Sequence, residues 1–224
     1  MPVSAKIKKR AAAVLAHLKA RYPQPPTNLN ASTPWQQIVA TVLSAQCTDA
    51  RVNMVTPELF RRWPTAEALA EAEITDLEAV IHSVGFYHAK ASNIIKAAIM
   101  IRDVFHGQVP RTIEELVRLP GVARKTANVV LYTQFGINAG LAVDTHVNRI
   151  ANRLGLTSSQ NPTKVEQDLM KLFPQADWGF VNHSMVWFGR EVCLARRPQC
   201  GMCGMAEFCP EQLGKVQKLP AAQA

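Results

Sequence analysis

Four cysteines close together near the end of the sequence are its strongest indication of chemistry. Cys193, Cys200, Cys203 and Cys209 are separated by six, two and five residues. Thiolates are soft ligands that suit zinc and iron–sulfur clusters. The single Cys-x2-Cys pair lacks the second pair that is usual in structural zinc sites, and the spacing also differs from ferredoxin patterns. The residues therefore predict a metal centre, either zinc or a cluster, with four unrelated buried thiols as the alternative.

Two arginines, Arg196 and Arg197, lie between the first two of these cysteines. A loop tied at both ends to a metal centre would hold its guanidinium groups in fixed positions, which suits contact with phosphate oxygens. The alternative is a solvated charged loop. The fifth cysteine, Cys47, is remote from the others and is interpreted as a small buried hydrophobe. An odd number of cysteines without secretory features favours a reducing compartment.

The segment 119–131, LPGVARKTANVVL, predicts a helix-hairpin-helix. Apolar residues precede a Pro120-Gly121 turn, and the helix that follows carries Arg124 and Lys125 in its first turn. Unpaired backbone N–H groups at the start of that helix favour a phosphate. Such a motif binds the backbone of a nucleic acid without reading its sequence. The alternative is an ordinary packing corner between two helices.

Composition limits the partner and the class of protein. The net charge of +8 and the pI of about 9.5 favour a polyanionic partner, with a merely basic protein as the alternative. The content of 48% hydrophobic and 19% charged residues is typical of a folded soluble domain. No apolar run approaches the length of about eighteen residues that a membrane span requires. The basic N-terminus predicts an amphipathic helix and not a signal peptide.

The elements that position these residues are predicted to be helices, which makes the fold class all-α. Apolar residues recur at helical spacing, as in Trp35, Ile38, Val39, Val42 and Leu43. Thr75 and Glu78 predict a capping box at the start of another helix. Proline and glycine separate the runs, and strand-like alternation is scarce. Further helices are predicted over Met54–Trp63, Ala66–Ala72, Ala123–Phe135, Thr145–Leu154, Thr163–Phe173 and Trp178–Val192.

These patterns together resemble the endonuclease III family, bifunctional DNA glycosylases and abasic-site lyases of the helix-hairpin-helix superfamily. The resemblance rests on the hairpin, on Val143-Asp144-Thr145-His146 after it, on the segment 43–49 (LSAQCTD) before it, and on the cysteine spacing. It runs from about residue 30 to about residue 210. No single motif is decisive, but their order and spacing are jointly specific.

The resemblance implies two helical domains and a cofactor. A six-helix barrel-like domain would span residues 26–137, with the helix-hairpin-helix at about 113–136. Residues 1–25 and 138–224 would form a second domain that carries a [4Fe–4S] cluster on the four cysteines. DNA and the active site would lie in the cleft between them.

The resemblance also implies two catalytic residues. Lys125 corresponds to the lysine that attacks C1′ of the damaged nucleotide, and Asp144 to the aspartate that assists it. A lysine nucleophile must be partly neutral, which favours partial burial or neighbouring cations. Asp144 can relay protons and stabilise the cationic sugar. The alternatives are a surface lysine and a simple N-cap of the helix that starts at Thr145.

A damaged base must leave the stack before it is excised, so other side chains must fill the hole. Gln46 matches the family's inserting glutamine, and Phe86, in the loop Gly85–Lys90, stands where the family commonly has leucine. An aromatic wedge unstacks bases, although Phe86 as a core residue is the alternative. The other implied DNA contacts are Tyr87, His88, Gly121, Ala123, Arg124, Thr126, Arg196 and Arg197. The implied pocket residues are Ser44, Asp49 and His146, with a capping role for Asp49 and a structural role for His146 as alternatives.

The sequence departs from the family pattern at Ala123, where the hairpin usually has its second glycine. If that position needs a positive φ, alanine adds strain of about 1 kcal/mol. Cys47, beside Gln46, also replaces a small residue without a thiol.

The expected function is removal of oxidised pyrimidines of the thymine glycol type from double-stranded DNA through a lysine Schiff base. β-Elimination then cleaves the strand 3′ to the abasic site. The protein is expected to be a monomer without a membrane partner, in the cytoplasm of a prokaryote and associated with its nucleoid. Adenine-mismatch glycosylases lack the lysine, and 8-oxoguanine glycosylases lack the cysteines. The remaining alternatives are a monofunctional or weakly active paralogue and a non-catalytic DNA-binding protein.

Overall fold

The structure is a computed structural model that describes residues 4–25 and 27–212. These residues form eleven α-helices and three short 3-10 turns, with no β-strand among them, which confirms the all-α prediction. The helices are α1 (Ala5–Arg21), α2 (Pro34–Ser44), α3 (Asp49–Arg62), α4 (Ala66–Ala70), α5 (Ile74–Ile81), α6 (Tyr87–Asp103), α7 (Ile113–Leu116), α8 (Arg124–Phe135), α9 (Thr145–Arg153), α10 (Pro162–Met170) and α11 (Trp178–Glu191). The turns are Gln175–Asp177, Cys200–Met202 and Ala206–Phe208.

Most of these helices begin at a polar residue that caps unpaired backbone N–H groups, as the sequence pattern requires. The capping side chains that accept such a bond include Ser4, Thr33, Thr48, Thr65, Thr112, Asp144 and Asn161. The predicted capping box at Thr75 is wrong. α5 begins at Ile74, two residues earlier than that box requires, and its N-cap, Glu73, makes no side-chain cap bond.

The described chain divides into two compact units, each with its own apolar core. The central unit comprises Thr27–Ala139, and the flanking unit combines residues 4–25 with residues 140–212.

In the central unit, α2 lies in the middle and packs against α3, α6 and α8. Its apolar residues Ile38, Val39 and Leu43 are at most 1% exposed. Full burial of such a side chain contributes about 1.5–3 kcal/mol. The buried face of α2 therefore holds this helix in the core of the unit, in contact with α3, α6 and α8.

In the flanking unit, α9 packs against α10 and α11, and α1 packs against α11. Leu18 of α1 and Ile150 of α9 belong to the same core as Phe188 of α11, and each is at most 1% exposed. The N-terminal helix is thus part of the core formed by the C-terminal portion of the chain. Within the described residues, the structure contains no helix both long and apolar enough to cross a membrane.

We predict that the flanking unit loses stability in mild acid because of His183. The Nδ1 atom of His183 lies 2.9 Å from the carbonyl oxygen of Gly179. Burial lowers the pKa of His183 from its ordinary value of 6.5, and the Gly179 carbonyl partly offsets that shift. The unfolded chain then binds more protons than the folded chain in acid. The contribution of neutral His183 to the stability of the folded unit is therefore complete above about pH 6.5 and is lost as the pH falls below that value.

Thermal unfolding between about pH 5 and pH 8 measures this dependence. The midpoint should fall with pH below about 6.5 in the wild type and fall less in His183→Gln. His82→Gln, at an exposed position of the central unit, is the matched control and should follow the wild type. Equal pH dependence of His183→Gln and the wild type would contradict the prediction.

Candidate active site and cysteine cluster

The turn between α7 and α8 requires a glycine at position 121. Gly121 has φ +81°, and a Cβ atom placed there would lie 3.1 Å from Cβ of Asn93 and 3.4 Å from Cγ1 of Val42. The N–H of Val122 donates to the carbonyl of Leu119 at 3.0 Å, which closes the turn. The left-handed backbone therefore favours glycine, and an added Cβ atom would press tightly against Asn93. The turn lies directly against α2 and α6.

Ala123 does not carry the strain that its position in the motif led us to expect. It is the N-cap of α8 with φ −84° and ψ 167°, an extended conformation that any residue adopts. Alanine in place of the usual second glycine is therefore tolerated by the backbone.

Lys125 lies in the first turn of α8, between Arg124 and Thr126. Lys125 and Arg124 are exposed, so of the two alternatives for the lysine, partial burial or neighbouring cations, partial burial is not observed. Ala123 provides no side-chain cap, and the start of α8 is the positive end of its dipole, which suits an anion. The first turn of α8 thus places an exposed amine beside a helix end that suits an anion.

Gln46 lies just beyond the end of α2 and is exposed. Its φ of +53° is unusual for a residue other than glycine. The N–H of Cys47 donates to the carbonyl of Ser44 at 3.1 Å and closes the turn around Gln46. The Ser44 hydroxyl donates to the carbonyl of Thr41 at 2.9 Å. Asp49 is the first residue of α3, and Thr48 before it supplies the cap, so Asp49 is not the capping residue.

Phe86 is 67% exposed, so its interpretation as a core residue is wrong. It precedes α6 with φ +60°, a second left-handed non-glycine residue. Tyr87 packs against the core, whereas His88 is exposed and its Nδ1 atom lies 2.8 Å from a Glu78 carboxylate oxygen. A Cβ atom on Gly85 would lie 3.6 Å from the carbonyl oxygen of Gln46. The structure therefore brings the Gln46 turn and the Phe86 turn together.

Asp144 is the N-cap of α9 in the flanking unit. Its Oδ1 accepts a hydrogen bond from the N–H of Val147 at 2.8 Å. The capping alternative is thus observed, but it occupies only one carboxylate oxygen. A cap of this kind fixes the direction of the carboxylate and is compatible with a catalytic role.

His146, two residues further, is half-buried and contacts Arg149, whose Nη2 lies 3.1 Å from the histidine Nδ1. Burial is the main cause that lowers the pKa of His146; Asp144 opposes the shift and Arg149 adds to it. A Cβ atom on Gly189 would lie 2.6 Å from Nδ1 of His146. This close packing favours the structural role for the histidine.

The four cysteines of the C-terminal motif are half-buried, form no disulfide and line one cavity of the flanking unit. Arg153 of α9 donates from Nη1 to Sγ of Cys193 at 3.4 Å, and Sγ of Cys209 lies 3.4 Å from the carbonyl oxygen of Arg153. Residues 4–25 and 27–212 contain no group of three or more histidine, cysteine, aspartate or glutamate side chains placed to hold a single metal ion.

Two arginines of α9 fix the start of the loop between the first two cysteines. Arg149 donates to the carbonyls of Gly189 and Cys193 at 3.0 and 2.9 Å. Arg153 donates to the carbonyls of Leu194 and Ala195 at 2.7 and 3.0 Å. Sequence reasoning missed both arginines. Their i,i+4 spacing, on the helix that Asp144 caps, could have indicated that both side chains lie on one face of α9.

The basic residues at the tip of that loop, Arg196 and Arg197, are exposed, and Arg197 has φ +54°. The loop is therefore held at its start while its guanidinium groups face solvent, as phosphate contact requires.

Comparison with known proteins identifies the family. Residues 39–175 match the model of the HhH-GPD superfamily base excision DNA repair proteins, and residues 193–209 match the iron–sulfur binding domain of endonuclease III. Endonuclease III of Synechocystis sp. is 53% identical over 203 residues, which cover 91% of this chain and 93% of that protein.

This chain belongs to the endonuclease III family.

Two solved structures of endonuclease III agree with the assignment. A non-covalent complex with DNA has a TM-score of 0.88 at 40% identity and covers 97% of this chain and 100% of its own. A trapped covalent intermediate with DNA has a TM-score of 0.88 at 39% identity and covers 96% of this chain and 100% of its own.

Membership of the endonuclease III family decides between zinc and a cluster: the cofactor is a [4Fe–4S] cluster. The geometry fits this group, because free thiols of all four cysteines border one cavity. The Arg153 guanidinium beside Sγ of Cys193 suits a thiolate ligand, since hydrogen bonds to cluster sulfurs tune such centres.

We predict that Gly121→Ala destabilises the hairpin, whereas Ala123→Gly does not. The first change forces a side chain into a left-handed residue beside Asn93, at a cost of about 1–2 kcal/mol from conformation alone. The second places glycine at an extended N-cap, where it changes stability by only a few tenths of a kcal/mol. Thermal unfolding of both variants measures the difference. A larger loss of stability in Ala123→Gly than in Gly121→Ala would contradict the account.

Proposed function

We propose that this chain is a bifunctional DNA glycosylase and abasic-site lyase of base excision repair, with Lys125 as its nucleophile. The observation that carries the proposal is the placement of Lys125: an exposed amine at the uncapped, anion-binding end of α8. The similar protein trapped as a covalent intermediate with DNA supports the same chemistry.

In the proposed reaction, the lone pair of the neutral Lys125 amine forms a bond to C1′ of the damaged nucleotide. The glycosidic bond breaks, its electron pair leaves with the base, and the base takes up a proton. A proton then passes from the lysine nitrogen to O4′, the C1′–O4′ bond breaks, and a protonated Schiff base forms between Lys125 and C1′. Loss of a proton from C2′ then expels the 3′ phosphate, which cleaves the strand by β-elimination.

Asp144 is proposed to stabilise the positive charge that develops on the sugar and to transfer protons. Its cap bond to Val147 uses Oδ1 and leaves Oδ2 for this role. Preorganised charge of this kind is worth most where water is excluded. The helix cap thus supplies orientation, and the carboxylate supplies the electrostatic effect.

The proposed DNA interface combines phosphate contacts with inserted side chains. The start of α8 and the exposed Arg196 and Arg197 contact phosphates, in keeping with the net charge of +8. Gln46 and Phe86, both exposed in left-handed turns, fill the space that the extruded nucleotide leaves. The proposed substrates are oxidised pyrimidines of the thymine glycol type, as the family likeness suggests.

The cysteines of the motif are the proposed ligands of the [4Fe–4S] cluster, which anchors the loop and takes no part in bond breaking. Arg149 and Arg153 hold the start of the loop at its carbonyl groups.

We propose the two compact units as the functional domains. A DNA substrate also supports the proposal of a cytoplasmic, nucleoid-associated protein.

Borohydride trapping on DNA with an abasic site tests the lysine. The wild type should form a covalent adduct, Lys125→Ala should form none, and Lys171→Ala, at an exposed lysine outside the proposed site, should match the wild type. An undiminished adduct from Lys125→Ala, or no adduct from the wild type, would refute the lyase.

Asp144→Asn separates catalysis from capping, because asparagine caps a helix as well as aspartate does. Base excision should fall by about 10²–10⁴-fold, while DNA affinity and the unfolding midpoint stay close to the wild type. Equal losses of excision and of DNA affinity would contradict the proposed role of the charge.

A further inference from the structure

Lys90 is a charged residue buried in the central unit. It lies on the apolar face of α6 with Ala91 and Ile94 and is 6% exposed. Burial lowers the pKa of Lys90, and the nearby Cys47 opposes that shift. An apolar side chain would fill this position without the cost of removing an ammonium group from water. Packing alone therefore does not explain why a lysine stands at this position.

The ammonium group of Lys90 holds the C-terminal end of α2. Its Nζ atom donates to the carbonyl of Leu43 at 2.8 Å and to the carbonyl of Ala45 at 2.6 Å. The last carbonyls of a helix have no partner within the helix, and the negative end of its dipole attracts a cation. Ala45 immediately precedes Gln46. Lys90 thus fixes the peptide that leads into the left-handed residue of the Gln46 turn.

The backbone of Lys90 holds the other turn. Its N–H donates to the carbonyl of Phe86 at 3.1 Å, which closes the first turn of α6. The two turns are also in contact, because the ideal Cβ position of Gly85 lies 3.6 Å from the carbonyl oxygen of Gln46. One residue therefore connects the two segments whose exposed side chains are proposed to enter DNA.

We propose that Lys90 is a positioning residue that holds the Gln46 turn against the Phe86 turn, so that both side chains enter the helix together. This inference rests on the proposed function, since it assigns Lys90 to the extrusion of the damaged nucleotide. Lys90 touches neither the substrate nor the reacting atoms. It acts through the carbonyl of Ala45 and the start of α6.

The effect should appear in duplex DNA and not in single strands. In a duplex, the inserted side chains must offset the loss of stacking and pairing, whereas a single strand needs little help to present its nucleotide. A loss of positioning therefore slows excision from a duplex. It leaves β-elimination at an abasic site in a single-stranded oligonucleotide nearly unchanged.

Single-turnover kinetics of the cluster-loaded protein test this. Lys90→Met should slow excision of an oxidised pyrimidine from a duplex by about tenfold or more, since misplacement by 1 Å can cost on the order of 100-fold. Its single-strand lyase rate should stay within about twofold of the wild type. Lys90→Arg keeps a donor cation and should recover part of the duplex rate. Lys96→Met, at an exposed lysine of the same helix, should match the wild type.

A double-mutant cycle with Gln46→Ala tests whether Lys90 acts through Gln46. The double variant should be no slower on a duplex than the slower single variant, because both changes remove the same positioned side chain. Multiplying losses would overturn the inference, as would equal losses on duplex and single strand. If Lys90→Met does not fold, the same cycle is measured with Lys90→Arg. Multiplying losses, or equal losses on duplex and single strand, would again overturn the inference.

The controls separate this inference from the proposed function. Absence of excision and of a borohydride adduct in the wild type would refute the proposed function. An active wild type together with a Lys90→Met variant as fast as Lys96→Met would refute only the positioning role.

Discussion

The central unit depends on the burial of α2. Seven of its eleven residues are buried, and it packs against α3, α6 and α8. The glycine of the hairpin turn lies against Val42, and the Gln46 turn begins where the same helix ends. Because α2 is held on several sides, the carbonyls at its end have fixed positions, and Lys90 can bind two of them. Packing of this one apolar helix thereby fixes the position of the Gln46 turn that follows it.

In the flanking unit, α9 has a comparable role. The carboxylate of Asp144 caps its N-terminal end, and its last two turns carry Arg149 and Arg153, which bind the start of the cysteine loop. A single rigid helix thus supports both a proposed catalytic group and the cofactor loop. In the proposed arrangement the cluster anchors an exposed basic loop, and its cysteines take no part in bond breaking.

Much of this arrangement was predictable from the sequence. The apolar period of α2 gave its buried face, and the Pro120-Gly121 pair gave the hairpin, since local chemistry determines both. The left-handed conformations of Gln46 and Phe86 were not predictable, because neither residue type prefers them. The strain expected at Ala123 is absent, because this N-cap residue has an extended backbone that alanine readily adopts. Lys90 was overlooked because a lysine in a helix is usually solvated, and only the structure shows its partners.

The central claim is that one lysine at the start of α8 forms the covalent bond to DNA. Its most direct test is peptide mapping by mass spectrometry of the borohydride-reduced adduct with DNA that contains an abasic site. The account predicts that the sugar remnant is attached to the Nζ atom of Lys125. Attachment to the N-terminal amine or to another lysine would contradict it.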